Sequence, residues 1–580
     1  MVEKLIELLG IERVDDIPLL WEQLKAMRVA ALFDKYFPAH PNWVGELTPG
    51  EVIACWLCFI LSCGNHRLSH VRQWAEQRLH LLQALTGKNV RALDFTDDRL
   101  ADLLARMGEQ SVWESLDQEL SSELLQVYDL SAQVVRLDST SAKTYAAVSE
   151  NGLIQFGHSK DHRPDLAQVK ISMSTLDPLG LPVSVTVVKG NVADDPLYEP
   201  EIKRVRQMTG KRGLLYVGDK KIAALETRAF ISGGGDYYLC PLGLKQLSEA
   251  ERGQLIEEVF AGRHEARIIC HPETGQPIGV GFEITKSRSA FFGTNQRADW
   301  TERILVFSSF ERARSEAKKL AQSIEQAHCE LLKLNERKQG KKVMDAEPLA
   351  QACRQIVKRR AVEGIVNWQI HTHTVQRQVR AWKNRPARTE QIQRLEVKVE
   401  LDSESLKTGR QHLGWGFYGS NHTQEQLPLD RAVLSYRGQH SIEQGFGRFK
   451  GRVLGLLPLF LKNDLHIAGL IHLLAIGLRV LCLMQYVVRR KLAEAKVAGE
   501  SQLQGLYPGQ ASRVTTRPTT ELMLNAFDDI NLVVGKDEKG RTVTRLLPLT
   551  DLQKRILDLL GFSQEIYLRL ISHFQNLAPE

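Results

Sequence analysis

Between residues 134 and 242 the chain alternates strand-type and helix-type patterning, and that order leaves few folds open. Val134-Val135-Arg136-Leu137 reads as a strand ending at Asp138. Residues 169–175 and 181–188 alternate around Asp177-Pro178-Leu179-Gly180, whose proline and glycine suit a tight turn, so the two runs predict a hairpin. A helix over 196–208, a strand over 213–219, a helix over 222–230 and a strand over 237–242 follow. Strand, hairpin, helix, strand, helix, strand is an α/β order.

The same order is that of a ribonuclease-H-like core. Its first part spans 130–243, and an insertion over 244–410 interrupts it. The insertion carries predicted strands over 267–271, 278–284, 304–307 and 395–401, a charge-rich helix over 311–336, a Gly- and Lys-rich break over 338–342, and a basic stretch over 354–394 that holds Trp368 and Trp382. The basic stretch reads as a solvated helix face or, if the partner is a nucleic acid, equally as a DNA-contact candidate. The core resumes over 411–492 with a strand over 414–421, a helix around Glu443 and an apolar helix over 467–488.

Residues 1–125 read as a helical domain opened by Leu5, Leu8, Leu9 and Ile11. Within it, Thr48-Pro49-Gly50-Glu51 has the form of a helix start, with Thr48 as cap, Pro49 at the first position and Glu51 three residues on. Residues 515–580 read as a small appendage with a hairpin around 535–540.

The apolar run over 467–488 carries His472 and Arg479 in its interior. An arginine near a bilayer centre costs roughly 3 kcal/mol, so a buried core helix is the expectation rather than a membrane span. Eight cysteines without a disulfide rhythm, and a start without a basic segment leading into an apolar one, predict a cytoplasmic protein. A net charge of +7 favours an acidic partner. Cys55, Cys58, Cys63 and His66 superficially form a zinc set, but their apolar helical spacing reads as buried thiols. His371 and His373 read as surface residues.

Asp138 and Asp219 each close an apolar run, and Glu443 lies on a helix. A strand-end aspartate more often caps a turn, and only the three together carry chemistry. If the Asp138 and Asp219 strands are adjacent and parallel, both carboxylates leave one edge of the sheet. Glu443 then supplies a third ligand from a helix packed across it. Such a set suits a pair of Mg²⁺ ions about 3.5–4 Å apart, the arrangement for phosphodiester cleavage. Tyr436, Glu443 and Lys450 are spaced seven apart and predict one shared helix face. Asp161, Asp194, Asp195 and Glu199 read as loop or helix-start residues, and Asp236 as lying at the wrong edge.

The chain resembles the DDE insertion-sequence transposases whose catalytic helix carries a Y-x2-R-x3-E-x6-K signature, met here as Tyr436, Gln439, Glu443 and Lys450. Gln439 stands in the arginine's place, with Arg437 two residues earlier. The blocks Gly157-His158-Ser159-Lys160-Asp161-His162-Arg163-Pro164-Asp165-Leu166 and Gly190-Asn191-Val192-Ala193-Asp194 resemble the same group. The resemblance implies a ribonuclease-H-like core with an insertion domain before the glutamate. It also implies Mg²⁺-dependent cleavage at element ends, with Mn²⁺ able to substitute, and transfer of the 3′ ends into target DNA.

Asp138, Asp219 and Glu443 are then the metal ligands, and Tyr436, Arg437, Gln439 and Lys450 the DNA contacts. An amide cannot replace a bidentate guanidinium, which puts the efficiency of a hairpin step in question at Gln439. The implied partners are terminal inverted repeats, target DNA and a second copy of the chain, with the 1–125 region as default candidate for end recognition and no membrane. The alternatives are a ribonuclease-H-like nuclease that cuts without joining, and an inactive relative that only binds DNA.

Overall fold

The computed structural model describes residues 7–148, 150–271, 274–336, 345–381, 386–495, 500–536 and 542–572. The expectations for Leu5, for the break over 338–342, for Trp382 and for the tip of the 535–540 hairpin lie outside them. The chain divides into two compact units. One comprises Met1–Leu239, Ser289–Asp299 and Ser435–Glu580, and the other Cys240–Arg288 and Trp300–Leu434.

The first unit opens with strand β1 (Glu7–Arg13), followed by helices α1 (Ile17–Ala26), α2 (Val29–Tyr36), α3 (Pro49–Cys63), α4 (Leu68–Glu76), α5 (Leu79–Thr86), α6 (Asp97–Gly108) and α7 (Gln110–Val127). Helix α3 begins at the anticipated cap: Glu51 N–H donates to Thr48 Oγ1 at 3.2 Å, and Thr48 N–H donates to Glu51 Oε2 at 2.8 Å. Gly50 lets α3 close on α2, because a Cβ there would lie 2.0 Å from the Ala30 carbonyl oxygen.

The next elements are β2 (Val134–Thr144), β3 (Ala167–Leu176), β4 (Leu181–Lys189), α8 (Tyr198–Thr209), β5 (Leu215–Gly218), α9 (Leu225–Gly233) and β6 (Tyr237–Pro241). The strand order is β4-β3-β2-β5-β6. β2 and β3, and β3 and β4, pair antiparallel, whereas β2 and β5, and β5 and β6, pair parallel, so the sheet is mixed. All ten residues of β3 are buried, which makes it a central strand covered on both faces. β2 runs six residues past the expected end at Asp138, because its antiparallel partner β3 continues the ladder to Thr144.

The second unit contains α10 (Glu249–Phe260), β7 (Arg267–Cys270), β8 (Pro277–Phe292), β9 (Gln296–Ser309), α11 (Phe310–Lys333), α12 (Ala346–Arg359), β10 (Val366–Val379), β11 (Arg388–Leu401), α13 (Ser403–Gln411) and β12 (Trp415–Ser420). β12, β9, β8 and β7 are successive neighbours in a sheet. β10 and β11 form a separate antiparallel ribbon, fourteen residues on each strand. The basic stretch over 354–394 is therefore only helical as far as Arg359. Beyond it, alternating β-branched residues such as Ile370, Thr372 and Thr374 favour a strand.

Helices α14 (Leu429–Arg437), α15 (His440–Lys450) and α16 (Asp464–Glu494) follow. The chain then forms β13 (Leu503–Gln504), β14 (Val514–Thr515), α17 (Thr520–Asn525), β15 (Asn531–Lys536), β16 (Thr542–Leu546), α18 (Asp551–Leu560) and α19 (Glu565–Ser572). The segment near the N-terminus is a strand, not the expected helix opening: β1 pairs antiparallel with β15. Leu8 and Ile11, which suggested a helix, are more than half exposed. Nor is the C-terminal segment a separate appendage, because it shares this sheet and the Tyr567 hydroxyl donates to the Asp15 carbonyl at 2.9 Å.

Helix α16 is long and apolar enough to cross a bilayer by length and composition, but its apolar window is wholly buried within the protein. It packs on α6 and β4. Its two interior polar residues both find partners there, although Arg479 Nη1 and His472 Nε2 are buried without one. Arg479 donates from Nη2 to Asp117 Oδ1 at 2.5 Å and from Nε to the Pro182 carbonyl at 2.8 Å. The His472 ring stacks on Trp113 with centroids 4.2 Å apart, and Nδ1 meets the Met107 carbonyl at 2.8 Å.

Replacing Arg479 by Met leaves the Asp117 carboxylate buried without its cation. That loss is expected to cost about 3–5 kcal/mol in a urea titration, and a second change, Asp117→Asn, should recover part of it. Burial lowers the His472 pKa from 6.5 to about 3. Between these values the unfolded chain binds a proton that the folded chain refuses. Stability is therefore complete above pH 6.5 and falls on acidification by about 1.4 kcal/mol per pH unit from this residue. A His472→Gln variant should show a correspondingly shallower acid limb in its stability profile than the parent.

Candidate active site

β2 and β5 run parallel with Leu137 opposite Gly218. The next residues, Asp138 and Asp219, therefore leave the same end of the pair, on strands about 4.8 Å apart. Burial, and then the negative charge of Asp219, push the Asp138 carboxyl above its ordinary range, while Lys160 pulls it back. The carboxylate of Asp138 also accepts the Ser139 N–H at 2.7 Å. Asp219 Oδ1 accepts the Tyr198 hydroxyl at 2.6 Å and the Lys221 N–H at 2.8 Å. Burial first, then Asp219, raise the Tyr198 phenol well above its usual pKa, so it remains a donor.

A cation already faces this pair. Lys160, between β2 and β3, donates to the Ser139 carbonyl at 2.6 Å, to Ser139 Oγ at 2.9 Å and to Asp138 Oδ1 at 3.3 Å. Its ammonium also lies 3.7 Å from Asp194. Asp194 accepts from Ser139 Oγ at 2.7 Å and from Lys170 at 2.9 Å. Burial pushes the Asp194 carboxyl up, but Lys170, Ser139 and Lys160 outweigh it and hold the pKa below the usual range. Asp194 is thus the fixed counterion of the two lysines, and Asp138 is the carboxylate whose charge is poorly compensated.

Helix α15 lies along β2, held at both ends. At its start Gln439 Oε1 accepts from Arg136 at 3.4 Å, and at its end Lys450 Nζ donates to the Ser141 carbonyl at 3.2 Å. Five residues of strand and eleven of helix each span about 17 Å, so strand and helix keep step. Glu443 lies four residues past Gln439 on this helix, and it does not stand close enough to Asp138 and Asp219 for the three to hold a metal ion together. It falls on the same helix face as Gln439 and Lys450, and its side chain is exposed.

Arg136 sets this arrangement. Its guanidinium is buried and makes a two-pronged ion pair with Asp177 in the β3–β4 turn, Nε at 2.6 Å from Oδ1 and Nη2 on Oδ2. Nη2 also donates to the Ser435 carbonyl at 2.7 Å, in the last turn of α14. A Cβ at Gly438 would stand 2.3 Å from Nη2, so only glycine lets the guanidinium in. The chain turns at Gly438 and Gln439, and the helix expected over 436–450 is two helices. Tyr436 lies on α14, half-buried, and does not share the α15 face with Glu443 and Lys450. Arg437 is exposed at the end of α14. Lys450 is engaged by Asp161, whose Oδ1 it reaches at 2.6 Å.

Sequence reasoning missed four participants: Lys160, Asp161, Asp194 and Tyr198. Three fall in the blocks Gly157–Leu166 and Gly190–Asp194, which carried a resemblance but no assigned role. Asp236, set aside as lying at the wrong edge, pairs with Arg206 at 2.7 Å. Cys55 and Cys58 are buried thiols, raised in pKa by burial. His371 and His373 are exposed on β10.

Among the described residues no group of three or more His, Cys, Asp or Glu side chains stands close enough to hold a metal ion. The donor chemistry of the Asp138–Asp219 pair nevertheless fits a hard cation. Both offer carboxylate oxygens where the β2–β5 pairing ends, and burial, with the charge of Asp219 added to it, raises the proton affinity of Asp138.

The contact between Gln439 and Arg136 yields a direct test. Gln439→Arg restores the residue of the signature but sets two guanidinium groups face to face in a half-buried position. It should lower stability by about 1–2 kcal/mol, whereas Gln439→Met, which removes one long hydrogen bond, should cost about 0.5 kcal/mol, both read from urea midpoints.

Residues 9–120 match a domain of unknown function (DUF4277). No curated protein matches the chain. Solved structures similar to it include the piggyBac transposase synaptic complex with hairpin DNA, at 9% identity and a TM-score of 0.25, covering 51% of this chain. The match spans 58% of that chain's length.

Proposed function

We propose that the protein is a DNA transposase that cleaves phosphodiester bonds at the ends of its element and transfers the 3′ ends into target DNA. The observation that carries this reading is the parallel register of β2 and β5. It brings Asp138 and Asp219 to the point where the β2–β5 pairing ends, and the exposed Glu443 carboxylate on α15 is assigned here as the third ligand. The strand order β4-β3-β2-β5-β6, three antiparallel strands followed by two parallel ones, supports a ribonuclease-H-like core.

In this reading Asp138, Asp219 and Glu443 hold Mg²⁺, for which Mn²⁺ substitutes. The ions would supply activation of the attacking oxygen and charge neutralisation at the leaving one. The chain's own groups do the positioning. Tyr198 and the Lys221 N–H orient the Asp219 carboxylate. Asp194 and Ser139 keep Lys160 beside Asp138, where its ammonium balances part of the charge that a metal ion would otherwise meet. Lys450 exchanges Asp161 for a DNA phosphate, a trade between two anions that needs only a change of side-chain rotamer. Arg437, exposed at the end of α14, is placed to meet the DNA backbone, and the half-buried Tyr436 contributes its ring beside it. The reading includes pairing of two copies on two DNA ends in the cytoplasm, away from any membrane.

The test uses labelled duplexes from the DNA flanking the reading frame, incubated with the purified chain and Mg²⁺. Cleavage and joined product are expected, and Asp138→Ala, Asp219→Ala and Glu443→Ala should each reduce cleavage by about 10³-fold or more. Without DNA, Mg²⁺ should raise the melting temperature of the parent and fail to do so in the Asp138→Ala/Asp219→Ala double variant. Cleavage without joining would identify a nuclease, and end binding without cleavage would identify a DNA-binding relative.

A further inference from the structure

The β10–β11 ribbon changes character along one of its faces. Near its base, Val366, Trp368, Ile370, Leu395, Val397 and Val399 pack against Ala327 and Leu331 of α11 and Cys353, Ile356 and Val357 of α12. The register pairs Ile370 with Val397 and Trp368 with Val399, so these side chains share one face of the sheet. Two residues beyond Ile370 the same face becomes Thr372, Thr374, Gln376 and Gln378, opposite Leu395, Gln393, Gln391 and Thr389. All seven of these threonines and glutamines are exposed. The apolar half is covered by helices, and the polar half extends past them.

Such a face is poorly suited to docking another protein, since it lacks the apolar centre on which stable protein interfaces are built. It does not bear the mixed charges that keep an ordinary solvated strand soluble. Those lie on the opposite face, with Arg377, Arg388 and Glu390. What it offers is a double row of amides and hydroxyls, each able to donate and accept, with the exposed Arg380 just past the end of β10. Glutamine pairs with the adenine edge through two hydrogen bonds, and threonine meets either an acceptor or a thymine methyl. A two-stranded ribbon, about 4.8 Å between strands plus side chains, enters a major groove about 12 Å wide.

We propose that this Thr/Gln face is a sequence-reading element that enters the major groove of duplex DNA, with Arg380 beside it on a phosphate. The inference rests on the DNA-acting function proposed above and adds to it a place where sequence is read, outside the region over 1–125. Gln376 and Gln391, directly opposite each other, are its centre.

The test is selection of bound duplexes from a randomised pool by the full chain, followed by affinity measurement on the selected and scrambled sequences. The parent should enrich a defined motif. Gln376→Ala/Gln391→Ala, at exposed positions, should bind scrambled duplex as the parent does and lose about tenfold or more of its preference for the motif. Arg380→Ala should instead weaken binding to both duplexes alike and reduce the salt dependence. An unchanged motif and preference in the glutamine double variant would overturn the assignment while leaving the catalytic reading standing. Failure of the parent to bind any duplex would overturn both. A change in the oligomeric state of the double variant without loss of preference would make the face a contact between copies, and would also overturn it.

Discussion

One buried guanidinium holds the candidate site in register. Arg136 reaches the β3–β4 turn through Asp177, the end of α14 through the Ser435 carbonyl and the start of α15 through Gln439. These groups come from two segments distant in sequence, the turn at 177 and residues 435–439, and one cation with five donors joins them. Because Arg136 stands two residues before Asp138 on β2, the same contact fixes how far along the strand α15 begins. A shorter or uncharged residue at 136 would leave the half-buried Asp177 without its cation and remove the contact at the start of α15.

The electrostatics of the site are arranged asymmetrically. Asp194 is saturated by Lys170, Lys160 and Ser139, and stays ionised below the usual range. Asp138 is raised by burial and by its neighbour Asp219. Two carboxylates facing one lysine thus differ in how much positive charge they still attract. The remaining attraction is concentrated at the strand end, where the parallel register brings Asp138 and Asp219 together.

Local patterns were legible in the sequence wherever the determining residues are close in the chain. The Thr48–Glu51 cap and the β3–β4 hairpin around Asp177 to Gly180 stand where the sequence puts them, since a cap and a turn are decided within a few residues. So does the buried α16, where an interior arginine and histidine argued against lipid. The misses have a different origin. β1 depends on β15, its partner near the other end of the chain, and no local reading of Leu8 and Ile11 reveals it. The break at Gly438 depends on a guanidinium from β2. Lys160 and Asp194 stand on loops, where pattern says little about which charges will meet. The register of Asp138 and Asp219 was readable as a condition, and the pairing of Leu137 with Gly218 meets it.

The pairing of Ile11 with Val533 bears on how the molecule is made. A ribosome releases the first strand long before the strand that completes its sheet. Throughout synthesis β1 presents an unpaired edge with Leu8 and Ile11 outward, the kind of edge that recruits foreign strands. Closure of so long a loop adds little entropy for each further residue, so distance alone does not weaken the finished sheet. The hazard is one of waiting. The nascent chain must keep that edge solvated or shielded until its last strands arrive.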